Sequence, residues 1–407
     1  MIVKITPSKA MGTVDAPPSK SLAHRLLICA GMSEGESIIH GIGESEDISA
    51  TLDCLTALGA KYSRINNSDT IKITGADMTH AVPSGELYAR ESGSTLRFFI
   101  PIAMLSGNTV MFRGSDTLMK RPMEVYKDIC KKKELVFIED GNSIVVRGKL
   151  TAGSYSVVGN ISSQFISGLL FALPLCDGDS TISITPPIES RSYINLTLSA
   201  LKAFGIEADW KDDHTLYMKG SQRYRASEAT VEGDYSNAAF LDALNIVGGD
   251  VVTKGLTEGS LQGDSIYPKY FEMIAKGSPS VHIGDCPDLG PIMFALSAAK
   301  FGGVFSGTRR LKIKESDRAE AMATELRKFG VSVSVDDDSV VIYPAKFHAP
   351  KEVLSGHNDH RIVMSLAVLL TLTGGEIEGA EAVNKSFPDF FSKIEALGIG
   401  VEKIEAK

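Results

Sequence analysis

The sequence has no stretch able to span a membrane. Its longest apolar runs, FFIPIAML and IVMSLAVLLTL, end well short of the roughly 18 residues such a helix needs. The opening MIVKITPSKAMG has no cationic segment leading into an apolar one, which predicts no secretory leader. Cysteine is sparse, five residues with no CxxC pair. Cys29 and Cys176 sit inside apolar helical patterns and read as core thiols, so a reducing, cytoplasmic setting is expected. There is no Walker phosphate loop, and GIGESE at Gly41 lacks the third glycine of a dinucleotide-binding turn. HNDH at residues 357–360 has no further ligand cluster at zinc-site spacing. Neither a metal nor a cofactor is therefore expected.

Charge is present, but unevenly. The net charge is −8, from 42 Lys and Arg against 50 Asp and Glu. An acidic chain is a poor partner for nucleic acid or an anionic membrane, and neither is expected. Yet cations gather at Lys20 with Arg25, Lys120 with Arg121, residues 309–318, and His360 with Arg361. Local cationic patches on an acidic body point to small anionic ligands. The 407 residues exceed one ordinary core, and 43% hydrophobic with 23% charged residues is a globular composition, so two folded domains are expected.

The chain repeats itself. SKSLAHRLLICAGMSEGESIIHG, SGSTLRFFIPIAMLSGNTVMFRG, SSQFISGLLFALPLCDGDSTISIT, DYSNAAFLDALNIVGGDVVTKG, PDLGPIMFALSAAKFGGVFSG and NDHRIVMSLAVLLTLTGGEIEG share one pattern. A capping Ser, Asp or Asn opens an apolar helix, which reaches Gly and then a short strand. Between these copies lie amphipathic helices such as TLDCLTALG and MATELRKFG, followed in most copies by a hairpin with an Asn- or Asp-rich turn. The repeat is about 70 residues, beyond the period of ordinary solenoids. The reading is an α/β (α+β) fold of six βαβαββ units, three per domain. One domain spans 19–232. The other is discontinuous, 1–18 plus 233–407, with hinges near 17–19 and 231–234. The sixth copy ends after one strand at GIGVEKI, so the N-terminal MIVKITP and GTVDAPP are expected to supply its missing strands.

Within a domain, repetition should point the helix N-termini the same way, and such termini favour anions. The reactive side chains cluster at these mouths: Lys20, Ser21 and Arg25; Gly93, Ser94 and Arg97; Ser162, Ser163 and Gln164; Asp288; His360 and Arg361. A lone Ser or Asp there is usually just a cap. Cations added at several mouths are harder to explain by capping.

The segments PSKSLAHR, ESGSTLRF, KRPM, SSQF, SRSY, PDLGPI, KIKESDR, NDHR and NKSFPDFF, in this order, resemble the motifs of the 5-enolpyruvylshikimate-3-phosphate synthases, over nearly the whole chain. The resemblance implies an enolpyruvyl transferase-like fold with its active site in the cleft between domains. It implies transfer of the enolpyruvyl group of phosphoenolpyruvate to the 5-hydroxyl of shikimate 3-phosphate, by a monomer without cofactor. It assigns Lys20, Gly93, Arg121, Gln164, Arg318, Arg361 and Lys385 to phosphoenolpyruvate. To shikimate 3-phosphate it assigns Lys20, Ser21, Arg25, Ser162, Ser163, Gln164, Ser190, Tyr193, Asp288 and Lys314. Asp288 becomes the base at the hydroxyl, Glu315 the acid/base at C3 of phosphoenolpyruvate, and Lys20 a further catalytic cation. Without the motif match, the sequence favours reading Glu315 as an ion-pair residue of an amphipathic helix opening at KIKESDR, and only the resemblance reverses this. Two positions depart from the family's common pattern: Glu91-Ser92-Gly93-Ser94 stands for Asn-Ala-Gly-Thr, and Arg310 for a common Asn.

Other readings fit less well. The sister transferase acting on UDP-N-acetylglucosamine typically has a reactive Cys in the loop that here reads RGSDTLMKRP, without Cys. RNA 3′-phosphate cyclases use related units, but no catalytic His motif of their type is seen. A DNA-encircling clamp would line one face with Lys and Arg in every repeat. Here the cations sit at a few helix mouths beside Asp288 and Glu315, which would repel nucleic-acid phosphates, whereas charge alone leaves a non-catalytic anion-binding repeat protein open.

Overall fold

The computed structural model describes residues 1–66 and 68–404. The chain forms two compact units, Pro18–Glu232, and Met1–Pro17 joined with Gly233–Lys407.

In the unit Pro18–Glu232, the helices Lys20–Gly31, Gly93–Ala103 and Ser163–Ala172 are buried nearly all round. Their apolar sequences permit this, because a helix without a polar face needs protein on every side. Each starts where a serine hydroxyl takes an orphan amide: Ser19 accepts from Leu22 N, Ser92 from Thr95 N, Ser162 from Gln164 N. Truncating a fully buried ring of this core, such as Phe98, to Ala would cost about 3 kcal/mol or more.

In this unit each repeat contributes a four-stranded sheet with one parallel pair and one antiparallel hairpin. One runs Leu87–Tyr88, Val110–Arg113, Ser143–Arg147, Val136–Asp140, and another Gly153–Val158, Ser180–Thr185, Thr215–Met218, Ala208–Trp210. The first repeat differs. Its chain enters directly on the helix at Lys20, so its parallel strand is Glu228–Thr230, from the end of the unit, paired with Glu36–His40.

The second unit follows the same plan around the helices Tyr235–Ile246, Gly290–Ala299 and His360–Thr373. Of the two N-terminal strands expected to complete the truncated sixth copy, only the first does so. Ile2–Thr6 sits between Gly375–Glu378 and Gly400–Ile404, antiparallel to both, as a hairpin partner would. Met11–Asp15 pairs in parallel with Asp250–Lys254 and serves the fourth repeat. That repeat has no hairpin: after the helix Tyr267–Lys276 the chain passes straight to Ser280–His282. At the edge where a hairpin strand would pair, the Asn245 side chain accepts from Val251 N at 2.7 Å and donates to Val251 O at 2.8 Å.

Two expectations need correction. The fifth helix, Gly290–Ala299, has no side-chain cap. It follows a single 3-10 turn, Pro287–Leu289, and the Asp288 side chain is taken instead by cations. The helix expected to open at KIKESDR begins only at Arg318, capped by Asp317, so Lys314 and Glu315 lie before it. Among the described residues no helix is long and apolar enough to cross a membrane.

Candidate active site

The expected residues fall into two clusters, one in each unit. In the unit Pro18–Glu232, Lys20 is the first residue of its helix, and its ammonium meets Asp47 Oδ2 at 2.8 Å. Asp47 stands in the first turn of the helix Glu46–Ala57, where a carboxylate suits the helix dipole.

Gly93, Arg97, Arg121 and Gln164 converge. A Cβ on Gly93 would stand 2.7 Å from Arg121 Nη1 and 3.3 Å from Arg97 Nη1, so glycine lets both guanidinium groups come close to the backbone. Arg97 Nη1 donates to Gln164 Oε1 at 2.7 Å, and Gln164 Nε2 donates to Ser94 Oγ at 2.9 Å. Arg97 also lies over the Phe165 ring, at 5.0 Å. Ser162 and Ser163 are buried at the start of the neighbouring helix.

Arg25 is tied into the scaffold by each of its three nitrogens. Its Nε donates to Thr197 Oγ1 at 2.8 Å, Nη1 to Ser21 O at 2.5 Å, and Nη2 to Tyr193 O at 3.1 Å. The guanidinium also faces the rings of Phe98 and Tyr193. Burial pushes it down to about 10, still charged at neutral pH. Ser190 is buried in a left-handed conformation just before the helix Arg191–Ala203 that carries Tyr193.

A buried hydroxyl chain joins three helix mouths. Thr95 donates its hydroxyl to Ser92 Oγ at 2.8 Å, so Thr51 donates to Thr95, also at 2.8 Å. His24 Nδ1 must then donate to Thr51 Oγ1, at 2.7 Å. Burial first, then Lys20 and Arg25, hold His24 well below its ordinary value, so the ring is neutral.

In the second unit the cluster centres on Asp288. Its Oδ1 accepts from Arg318 Nη1 at 2.7 Å and Lys314 Nζ at 3.1 Å, and its Oδ2 from Arg361 Nη2 at 3.2 Å. Burial alone would raise this carboxyl, but Arg361, Lys314 and Arg318 outweigh it and hold it well below the carboxylate range. Lys314 is lowered, mainly by burial. Arg318 is fully buried and also meets Glu315 Oε2 at 2.6 Å and Asp359 Oδ2 at 2.8 Å. Burial would lower it, but Asp359, Glu315 and Asp288 together raise it. Asp359 caps the helix that begins at His360, accepting from Arg361 N at 2.9 Å. Lys385 Nζ donates to Asn358 O at 2.7 Å. Arg361 keeps two buried nitrogens, Nε and Nη1, without a hydrogen-bond partner among the described residues.

The residues that the resemblance assigns to each substrate are thus divided. For phosphoenolpyruvate, Lys20, Gly93, Arg121 and Gln164 belong to one unit, and Arg318, Arg361 and Lys385 to the other. Asp288 and Lys314 belong apart from the serines expected at the same ligand. Asp47, Thr51 and Asp359 join these clusters without being singled out in the sequence, and Arg97, expected at a helix mouth, is assigned to neither substrate. Asp47 and Asp359 look like ordinary N-terminal helix acids, and only their partners distinguish them.

Residues 5–394 match the family described as EPSP synthase (3-phosphoshikimate 1-carboxyvinyltransferase). Curated relatives include the 3-phosphoshikimate 1-carboxyvinyltransferases of Clostridium kluyveri, 38% identical, and Clostridium acetobutylicum, 39% identical, each over 97% of this chain and 97% of the relative. Among solved structures, an EPSP synthase from Acinetobacter baumannii is similar at a TM-score of 0.77 with 23% identity, over 99% of this chain and 100% of that one. The enolpyruvyl transferase NikO from Streptomyces tendae is similar at 0.79 with 13% identity, over 100% and 99%. These two likenesses concern the fold, which is that of the enolpyruvyl transferases.

Proposed function

Starting from a chain that belongs to the EPSP synthase family, we propose that it transfers the enolpyruvyl group of phosphoenolpyruvate to the 5-hydroxyl of shikimate 3-phosphate and releases phosphate. The observation that best supports this from the residues themselves is Arg361. Its two unpartnered buried nitrogens suit a carboxylate or phosphate, and it stands beside a carboxylate already ringed by cations.

In this reading Lys20, Arg121, Arg318, Arg361 and Lys385 take the phosphate and carboxylate of phosphoenolpyruvate, with Gly93 and Gln164 shaping the approach. Lys20, Ser21, Arg25, Ser162, Ser163, Gln164, Ser190, Tyr193, Asp288 and Lys314 take shikimate 3-phosphate. Arg25 fixes the position of Ser21 and Tyr193. Asp288 accepts the proton of the 5-hydroxyl as its oxygen attacks C2, and Glu315 delivers a proton to C3. The tetrahedral intermediate then returns a C3 proton to Glu315 and expels phosphate. Lys20 stabilises the charge that moves onto the leaving group.

Asp288 is a poor base while three cations hold it. The anionic substrates supply what it lacks: each phosphate or carboxylate draws Arg318, Arg361 or Lys314 from Asp288 and returns its pKa toward the ordinary range. The base is then strongest when the substrates are in place.

The test is to incubate the protein with both substrates and follow released phosphate and the enolpyruvyl product together. Stoichiometric release of both supports the reading. Turnover with UDP-N-acetylglucosamine in place of shikimate 3-phosphate, or tight binding of both anions without turnover, contradicts it.

A further inference from the structure

The Glu325 carboxylate is buried in the helix Arg318–Lys328, two turns from the residues that face Asp288. It accepts three hydrogen bonds: from Ser355 N at 3.0 Å, His357 Nε2 at 2.9 Å and Lys328 Nζ at 2.9 Å. The first two come from the loop between the strand Leu354–Ser355 and the helix that opens at His360.

That loop has an uncommon backbone. His357 and Asn358 are consecutive left-handed residues, with φ of 48° and 52°. Non-glycine residues seldom take this region, and persist there only where surrounding contacts enforce them. Here those contacts are explicit. Gly356 is wedged so closely that a Cβ would stand 2.6 Å from Val363 Cγ2 and 2.9 Å from Glu378 O. Asp359 N donates to Gly356 O at 2.9 Å. Glu325 supplies the two anchors on the other side. What the loop delivers is the Asn358 carbonyl, at 2.7 Å from Lys385 Nζ, and the Asp359 carboxylate, at 2.8 Å from Arg318 Nε.

We propose that Glu325 is a positioning residue for the reaction: through His357 and the Ser355 amide it holds loop 355–359 in the conformation that sets Lys385 and Arg318. This rests on the reading of those two cations as phosphoenolpyruvate ligands. Glu325 touches no substrate. Displacing the loop moves Lys385 and Arg318, while the serines and Tyr193 of the other unit keep their own supports.

The experiment measures kcat and both KM values for Glu325→Ala, His357→Asn and Lys328→Ala, with Lys385→Met as reference. His357→Asn is the decisive variant. Asn tolerates the left-handed backbone but cannot reach Glu325, and the buried carboxylate stays in place. Loss of the anchor raises the KM for phosphoenolpyruvate about 10-fold and leaves that for shikimate 3-phosphate within about 2-fold. Glu325→Ala shifts the same KM further. Lys328→Ala removes the ion pair to Glu325 and a hydrogen bond to Val353 O but neither anchor of the loop, and moves neither KM. The double variant His357→Asn with Lys385→Met loses less than the two single losses combined, because both act in part through the Lys385 ammonium.

An unchanged KM for phosphoenolpyruvate in His357→Asn, equal shifts for both substrates, or lowered kcat and melting temperature with unmoved KM values would overturn the proposal. If Lys385→Met itself leaves that KM unchanged, the reading of Lys385 fails and this inference falls with it. If Lys385→Met raises it and His357→Asn does not, only this inference falls.

Discussion

Asp288 Oδ1 lies 2.7 Å from Arg318 Nη1, so the carboxylate expected to act as a base is held in its ionised form by a buried guanidinium. Because the folded-state pKa lies below the unfolded one, the stabilisation is present above the unfolded value near 3.8 and is lost as the pH falls through the depressed folded value. Melting of the substrate-free protein should therefore show Asp288→Asn less stable than wild type at pH 7, with the gap narrowing as the pH drops below about 4. A gap independent of pH would mean that Asp288 is not held in this way.

Arg121 should matter more for one substrate than the other. Replacing it by Ala should weaken phosphoenolpyruvate more than shikimate 3-phosphate in calorimetry. Gly93→Ala should mimic this in part, because the new Cβ would stand 2.7 Å from Arg121 Nη1 and push it aside. Equal loss of both affinities in Arg121→Ala contradicts the assignment.

The five cysteines are all buried and free. Burial pushes Cys130 and Cys176 up to about 11, and Cys29, Cys54 and Cys286 higher still. An alkylating reagent at pH 7.5 should leave activity intact and modify these thiols only after unfolding, as mass spectrometry would show. Rapid inactivation with one thiol labelled would point to a reactive cysteine and to the chemistry of the sister transferase.

Much of this was legible in the sequence, for physical reasons. Caps such as Ser19, Ser92 and Asp359 followed by apolar runs announce buried helices, and the truncated sixth copy called for the strand that Ile2–Thr6 supplies. Less visible was the parallel strand Glu228–Thr230, borrowed from the far end of its unit, since pairing across such a separation leaves no local signal. Asp288 has the pattern of a cap, yet three cations outcompete the helix amides for it. Glu315 and Arg318 have the spacing of a helical ion pair, but the helix starts only at Arg318. Glu325 sits in MATELRK like any solvent-facing acid, and only the loop folded against it shows otherwise.

Glu315 offers the sharpest measurement. As the group that exchanges a proton with C3, it should be indispensable for turnover and dispensable for folding. Glu315→Gln keeps the size and one acceptor toward Arg318, but cannot cycle a proton. Turnover should fall by about 10²- to 10⁴-fold with little change in melting temperature or substrate affinity. In deuterated water the wild-type protein, given both substrates, should place deuterium in the C3 methylene of phosphoenolpyruvate and product, and Glu315→Gln should abolish that label. Label entering at the wild-type rate in Glu315→Gln would contradict the assignment and leave Glu315 as an ion-pair partner of Arg318.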